Sequence, residues 1–481
     1  MLFPLFLYSN TIQQSVDKIE NFEKQKRIHK KLEEQKSKEI LHIDVIKPKL
    51  KEKDEQKCFI TKQIIEESIT LLTKKEQNTV YANYLNQCNN ISTLSNLVNE
   101  LTSLYIDKGY ITSKVYLKPQ DISTGIVTLH AIEGKLEEFT NENASIITAF
   151  WLQKGKYLNL RDLEVGIETL NRLQSNNAKL KLLPGKQTGG TIVDIENEKS
   201  SPLNGYLNFD NYGQNATGKI QGSAQLNLDN PLSINDKVTF NINSTDKHND
   251  NQNARGNSFY YSFPVGRLLY TFSYSKYKYE QLITANSSEL ESKGTTKNYD
   301  IDLNYKFFHN LNHKISLGGF VNNYRTESYN ENILQENQTY DLSKAGFNID
   351  HLYQASGLLS YVSFQYTKGV HLFRYNNPTD LNEKFEKYVI DFTFSKNIDV
   401  IKYNLTLHWQ HAKDPLFSVN QISIGGPYSV RGYNKEGLSG NSGYYYQNEF
   451  SYTNENKWFN KISPTYYIAV DGGWIKEDNT T

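Results

Sequence analysis

The sequence predicts a mainly β fold: a transmembrane antiparallel β-barrel preceded by two small α/β units and an N-terminal helix. Three observations lead there. From about residue 203 onward, apolar and polar residues alternate with a period of two, in runs of roughly ten residues that suit tilted membrane strands better than soluble ones. Tyrosine and phenylalanine are abundant, 34 and 23 in 481 residues, yet no run of about 18 apolar residues offers a membrane helix. The segments between the runs, such as "STDKHNDNQNARGNS" and "NENILQENQ", are long and hydrophilic, as the surface loops of barrels are. A soluble β-sandwich is the competing architecture.

The N-terminus, "MLFPLFLYSNTIQQS", has a short apolar segment without a basic flank, so residues 1–15 read either as a partial signal peptide or as a plain floppy terminus. Residues 16–57 are highly charged. "IENFEKQKRIHKKLEEQKSKEI" is rich in helix formers with Glu/Lys pairs at helical spacing but has almost no apolar face, and "KPKLKEKDEQK" reads as a linker.

Residues 58–135 form the first α/β unit and 136–200 the second. The first opens on the strand "CFITKQII". A helix follows near 75–88. A second helix, capped by Ser92, places Leu94, Leu97, Val98, Leu101, Leu104 and Tyr105 on one face and ends at Gly109. The strands "YITSKVYLK" and "GIVTLHAIEG" complete the unit. The second repeats the plan: strand "LEEF", helix "NLRDLEVGIETLNRLQ" with Leu163, Ile167 and Leu170 inward, then the strand pair "AKLKLLPG" and "GTIVDIENE". "GKQTGG" joins two strands and lacks the phosphate-loop pattern, so it reads as a turn.

Residues 201–481 carry the barrel pattern. Ile220, Ala224, Leu226 and Leu228 oppose Lys219, Gln221, Ser223, Gln225 and Asn227. The same alternation governs 388–395 and 401–410.

Charge and motifs exclude several functions. With 53 basic and 53 acidic residues, the chain has no excess charge to draw nucleic acid. No triad, paired carboxylates or histidine cluster stands out, so neither an enzyme nor a cofactor is expected. The two cysteines, Cys58 and Cys88, cannot alone supply a four-ligand zinc site, and no metal site is expected. They read as one disulfide in an exported chain or as two buried thiols in a cytosolic one.

An ordered series of motifs then resembles one family. "CFITKQI", the Gly-Tyr-Ile-Thr-Ser of "DKGYITSKVYL", "FDNYGQNATG" (Asp210, Asn211 and Gly213), "SIGGPYSVRGYNKEG" (Val430, Arg431, Gly432 and Tyr433) and "VDGGW" (Asp471 and Gly473) are similar to motifs of the outer-membrane transporters of two-partner secretion. These are the haemolysin-activator and filamentous-haemagglutinin transporter type, within the outer-membrane protein assembly superfamily. The resemblance spans roughly residues 58–476. It implies a plug helix in the barrel, two periplasmic polypeptide-transport-associated domains, and a barrel of about sixteen strands, of which about thirteen fall before Thr481. The C-terminus is therefore expected to be incomplete.

The resemblance also implies an outer-membrane location among lipid, and a single pore that passes a large unfolded exoprotein bearing an N-terminal secretion domain. Nucleotide and nucleic acid play no part. In such an exported chain Cys58 and Cys88 are expected to pair. The loop holding Arg431 is expected to fold into the lumen. Strand parity puts Tyr467, Ala469, Asp471 and Gly473 on the lumen side, so Asp471 is the expected partner of Arg431, with Gly473 leaving room for the loop backbone. A barrel-assembly factor and a passive porin-like channel are the alternatives.

Overall fold

The computed structural model describes residues 45–50, 57–211, 213, 216–246, 252–285, 288–433, 437–453 and 464–476. The expected signal segment and plug helix lie outside these residues.

In the first unit, β1 (Phe59–Ile60), β2 (Gln63–Glu67), α1 (Lys74–Tyr81), β3 (Cys88–Asn89), α2 (Ile91–Asp107), β4 (Lys114–Leu117) and β5 (Ile126–Ile132) follow in order. The sheet runs β2-β5-β4, with β2 parallel to β5. Leu94, Leu97, Leu101 and Tyr105 of α2 are buried against Val127 and Leu129 of the sheet. The cap of α2 is Asn90 rather than Ser92: its side chain accepts from the Thr93 N–H at 2.8 Å, and Thr93 Oγ1 accepts from the Asn90 N–H. Asparagine and serine cap equally well, so spacing alone did not separate them. The opening strand is broken at Thr61 and Lys62, and α1 ends at Tyr81, earlier than its pattern suggests. Cys58 and Cys88 are joined in a disulfide beside the β1–β3 pair, with Cα atoms 5.3 Å apart.

The second unit holds β6 (Lys135–Phe139), α3 (Ala144–Ala149), α4 (Leu160–Asn171), β7 (Asn176–Pro184) and β8 (Gly190–Lys199), with sheet order β6-β8-β7. Leu163, Ile167 and Leu170 are buried on Leu136, Phe139 and Val193. The short α3 had no periodic signal long enough to read. The units are tied at their junction. Gly109, at φ +89°, turns the chain off α2, and its carbonyl accepts from Leu160 N–H at 2.8 Å, while Asn159 Nδ2 donates to the Lys108 carbonyl at 3.0 Å. Asn159 also caps α4, so one side chain starts one helix and finishes another.

The barrel strands are β9 (Leu203–Asp210), β10 (Gln221–Asp229), β11 (Lys237–Thr245), β12 (Asn253–Val265), β13 (Leu268–Ala285), β14 (Ser288–His309), β15 (His313–Asn330), β16 (Ile333–Leu334), β17 (Tyr340–Ala355), β18 (Leu358–Val370), β19 (Glu386–Ile398), β20 (Ile401–Ala412), β23 (Gly443–Thr453) and β24 (Thr465–Ile475). Between β20 and β23 lie the short β21 (Ile422–Ile424) and β22 (Leu438–Gly440). This 14-stranded sheet is a path of consecutive antiparallel neighbours from β9 to β24, with only β16 off it, beside β15. The alternation read from the sequence holds. On β19 Lys387, Val389, Asp391, Thr393 and Ser395 are buried inward, and Tyr388, Ile390, Phe392 and Phe394 face out. On β10 Gln221 and Asn227 are buried while Leu226 and Leu228 are exposed.

Most connections at the end that meets the second unit are short, and most at the other are longer. Gly266, in the β12–β13 turn, donates its N–H to the Thr148 carbonyl of α3 at 2.7 Å. Arg267 in the same turn pairs with Asp162 of α4 at 2.5 Å. Farther round, a bulge between Lys306 and Phe308 shifts the parity of β14 so that both Lys306 and His309 turn inward. There Glu168 of α4 accepts from Lys314 Nζ at 2.7 and 2.9 Å and lies 3.5 Å from Lys306 Nζ, while Glu164 lies 3.5 Å from the buried His309. The second unit is thus seated on the barrel rim by ion pairs.

Candidate functional site

The described residues of the connection between β20 and β23 lie against the inner wall of the barrel. The connection opens with a single 3-10 turn (Ser418–Asn420), pairs β21 with β22, and packs Ile422, Ile424 and Val430 against Tyr445 and Ile475 of the wall. A tight bend at Gly425 and Gly426, both at positive φ, is closed by Ser429 Oγ, which donates to the Gly425 carbonyl at 3.0 Å. Tyr433 returns the chain: its carbonyl accepts from Gly426 N–H at 2.7 Å and its N–H donates to the Val430 carbonyl at 3.0 Å.

Arg431 projects from this bend onto the inner wall. Nε donates to Asp471 Oδ2 at 2.7 Å and Nη2 to Oδ1 at 2.9 Å, a planar fork on a carboxylate. The Arg431 backbone N–H donates to the same Oδ2 at 2.9 Å. Nη1 turns to a second acid, Glu449 Oε2, at 2.7 Å. The guanidinium therefore bridges β23 and β24 through two carboxylates on the lumen face. Glu449 escaped the sequence reading, although parity contained it: in "GYYYQNEF" Tyr445, Gln447 and Glu449 share one face, and Gln447 pairs in register with Asp471.

The other motif residues occupy distinct positions. A Cβ on Gly473 would lie 3.0 Å from the Tyr444 carbonyl and 3.1 Å from Tyr445 Cβ and only in ordinary contact, at 3.4 Å, with Ile424 Cδ1 of the loop, so the neighbouring wall strand rather than the loop backbone crowds this position. A Cβ on Gly432 meets nothing within 4 Å, and nothing in the structure explains the glycine there. Asp210 ends β9 and accepts from Gln221 Nε2 at 2.5 Å and from Asn208 Nδ2 at 2.8 Å, while Asn211 is exposed. A Cβ on Gly213 would lie 2.2 Å from the Gly218 carbonyl, which makes glycine the residue that fits this close turn. These three lie on β9 and its following loop, apart from the Arg431 cluster.

A second hold on the loop had no sequence signal. Asn420 receives Lys344 Nζ on its side-chain oxygen at 3.0 Å, and its carbonyl accepts from Lys387 Nζ at 3.2 Å and Gln410 Nε2 at 3.0 Å. Asn441, near the loop's other end, accepts from Leu416 N–H at 2.8 Å. Among the described residues no group of three or more metal-ligating side chains converges.

A barrel wall, an inward loop and paired N-terminal α/β units form the frame in which the comparisons fall. Residues 189–481 match the family of haemolysin secretion/activation proteins of the ShlB/FhaC/HecB type. The chain belongs to this family. Residues 59–134 match the ShlB-type POTRA domain and 128–184 a further POTRA domain. The outer membrane transporter CdiB of Dickeya dadantii is 30% identical over 438 residues, covering 88% of this chain and 78% of that one. The hemolysin transporter protein HpmB of Proteus mirabilis is 30% identical over 444 residues, covering 88% and 77%. The solved CdiB from Escherichia coli superimposes with a TM-score of 0.86 at 26% identity, covering 96% of this family member and 88% of that structure. CdiB from Acinetobacter baumannii shares the fold, with a TM-score of 0.79 at 22% identity, over 98% and 90%.

Proposed function

We infer that this family member exports a haemolysin- or contact-inhibition-type protein through its barrel, and that the Arg431–Asp471–Glu449 cluster holds the lumen loop in the position from which export starts. It is an outer-membrane transporter of the two-partner secretion class, with its POTRA units in the periplasm. The partner is a large exoprotein with an N-terminal secretion domain, delivered unfolded to a monomeric pore in outer-membrane lipid. The sheet edges β2 and β4 in the first unit, and β6 and β7 in the second, are where an extended segment would add by main-chain hydrogen bonds, with little demand on its sequence.

The observation that carries this reading is the fork of Arg431 on Asp471. A charge-assisted bidentate contact fixes orientation as well as distance, which is what a loop needs if it is to keep one lumen geometry between export events. The test is partner export from cells carrying Arg431→Ala or Asp471→Ala. Both are expected to cut export at least about tenfold, the scale of one lost charge-assisted pair, while heat-modifiable migration on gels shows that the barrel still inserts. Export at the unaltered level by both variants would refute the role assigned to the cluster.

A further inference from the structure

The outer face of β12–β15 carries a cationic patch on the side of the wall opposite the lumen. One register row across these strands reads Asn257, Lys276, Lys297 and Arg325, and the next row toward the long loops reads Arg255, Lys278, Thr295 and Glu327. All point outward, because their neighbours Tyr279 and Gln281 on β13 and Ser292, Thr296 and Asn298 on β14 are buried on the opposite face. Five cations thus stand against one carboxylate in two rows, within about 14 Å across the sheet by strand spacing. That carboxylate, Glu327, is taken by Arg325 at 2.7 Å. Farther out, Glu280 faces Lys293, which is paired with Glu291 at 2.8 Å. Among the described residues no carboxylate is ion-paired with Arg255, Lys276, Lys278 or Lys297. Elsewhere on the outer face the pattern differs: Lys368 and Lys413 share Glu386 at 3.2 and 3.8 Å.

The rows on the other side of the patch, toward the POTRA end, are aromatic and apolar. Phe259, Tyr274 and Tyr299 come first, ending at Asn323 on β15, then Tyr261, Phe272, Ile301 and Val321. Tyr274 and Tyr299 have centroids 5.1 Å apart, as do Phe240 and Phe259. The cations therefore sit where the hydrocarbon band ends, on the side away from the POTRA units. Cations at such a boundary cost little by themselves, and each attracts anionic headgroups at the same depth by about 1 kcal/mol. A soluble polyanion has no use for the adjoining aromatic rows, whereas a lipid presents phosphate and acyl chain together.

We propose that the β12–β15 face binds the phosphorylated headgroup of an outer-leaflet glycolipid through Arg255, Lys276, Lys278 and Lys297, with acyl chains on Phe259, Tyr274, Tyr299 and Phe272. This rests on the outer-membrane reading above. The test titrates the purified full chain in detergent with diphosphorylated lipid A, counting bound lipid by native mass spectrometry. The variant Arg255→Gln/Lys276→Gln/Lys278→Gln/Lys297→Gln is expected to bind at least about tenfold more weakly, given roughly tenfold or less per cation at a membrane surface. Lys181→Gln/Lys186→Gln, in the second POTRA unit, is expected to bind as the parent does. Dephosphorylated lipid A is expected to bind parent and variant alike, and inorganic phosphate to displace nothing at equal concentration. If the fourfold variant loses heat-modifiable migration, Lys276→Gln/Lys297→Gln replaces it, with a loss of at least about threefold expected. A chain that forms no channels in planar bilayers brings down the barrel reading and this site with it. A chain that conducts, yet binds lipid A without regard to these substitutions, refutes the headgroup site alone.

Discussion

At the scale of single residues, the fork on Asp471 predicts a graded response. Arg431→Lys keeps the backbone N–H bond to Oδ2 but replaces a planar fork by one ammonium, which cannot reach Asp471 and Glu449 with the same geometry. Export by Arg431→Lys is expected to fall between that of the parent and that of Arg431→Ala. Glu449→Gln keeps an acceptor for Nη1 and removes a charge, so its export is expected to fall less than that of Asp471→Ala. Measured export in the reverse order would show that Glu449, not Asp471, is the main partner. Asp471 was legible because parity fixes a strand's two faces and only one carboxylate lay on the lumen side of "TYYIAVDGGWI". Glu449 was equally legible by parity, but its strand carries no motif that draws the eye to it.

Between elements, the seating of α4 on the barrel rim makes a pH-dependent prediction. Burial opposes ionisation of Glu168, but Lys306, Lys314 and His309 and the hydrogen bond from Lys314 outweigh it, so its carboxyl titrates below the ordinary range. Glu164 faces the same group from α4, beside Arg161 at 2.7 Å. A depressed acid contributes in full above its unfolded pKa and loses that contribution as pH falls through the folded one. The protection factor of the α4 amides, exchange corrected for its intrinsic pH dependence, is therefore expected to be flat at neutral pH and to fall as acid takes the solution below the ordinary carboxylate range. Glu168→Gln should raise exchange at neutral pH by an amount equivalent to about 1–3 kcal/mol of lost charge-assisted bonding, and should blunt the acid response. An unchanged profile in Glu168→Gln would locate the acid sensitivity elsewhere.

The disulfide belongs to the same scale. It closes 30 residues around β1, β2 and α1, and in the chain-entropy model such a loop is worth about 3–4 kcal/mol to the first unit. Cys58→Ser/Cys88→Ser is expected to lower the melting temperature of that unit's transition without moving the barrel's. A common shift of both transitions would refute the assignment of the bond to one unit. The helices and strands of both POTRA units were largely readable, because their apolar periodicity is strong. The rim contacts were not, since Lys306 and His309 acquire their direction from a bulge that the sequence does not announce.

For the whole molecule, alternation marked the strands, because a period of two is dictated by the pleat wherever one face meets lipid and the other a polar lumen, while aromatic content, long polar loops and the family resemblance were needed to choose a barrel over a sandwich. The inward fold of the β20–β23 loop was legible only through the family's motif, and the grip on Asn420 was not legible at all, since Lys344, Lys387 and Gln410 come from three strands with nothing local to mark them.

That grip and the one at Arg431 lie on the same short stretch of chain, and their pairing has a consequence for kinetics. When one lets go, the other keeps the freed group near its partner at an effective concentration in the millimolar range for a short tether, so rebinding competes strongly with departure. Losing either hold singly should leave the loop in the lumen on the other, with its tip out of register where Arg431 is lost and brief excursions whenever the remaining hold lets go. Losing both should remove the recapture. Single-channel records of Lys344→Met/Lys387→Met, which removes both ammonium groups from Asn420, and of Arg431→Ala are expected to show short, rare conductance bursts, and the combined variant bursts longer than the sum of the two. Strict additivity would mean that the holds act independently and that the loop has no memory of where it was bound.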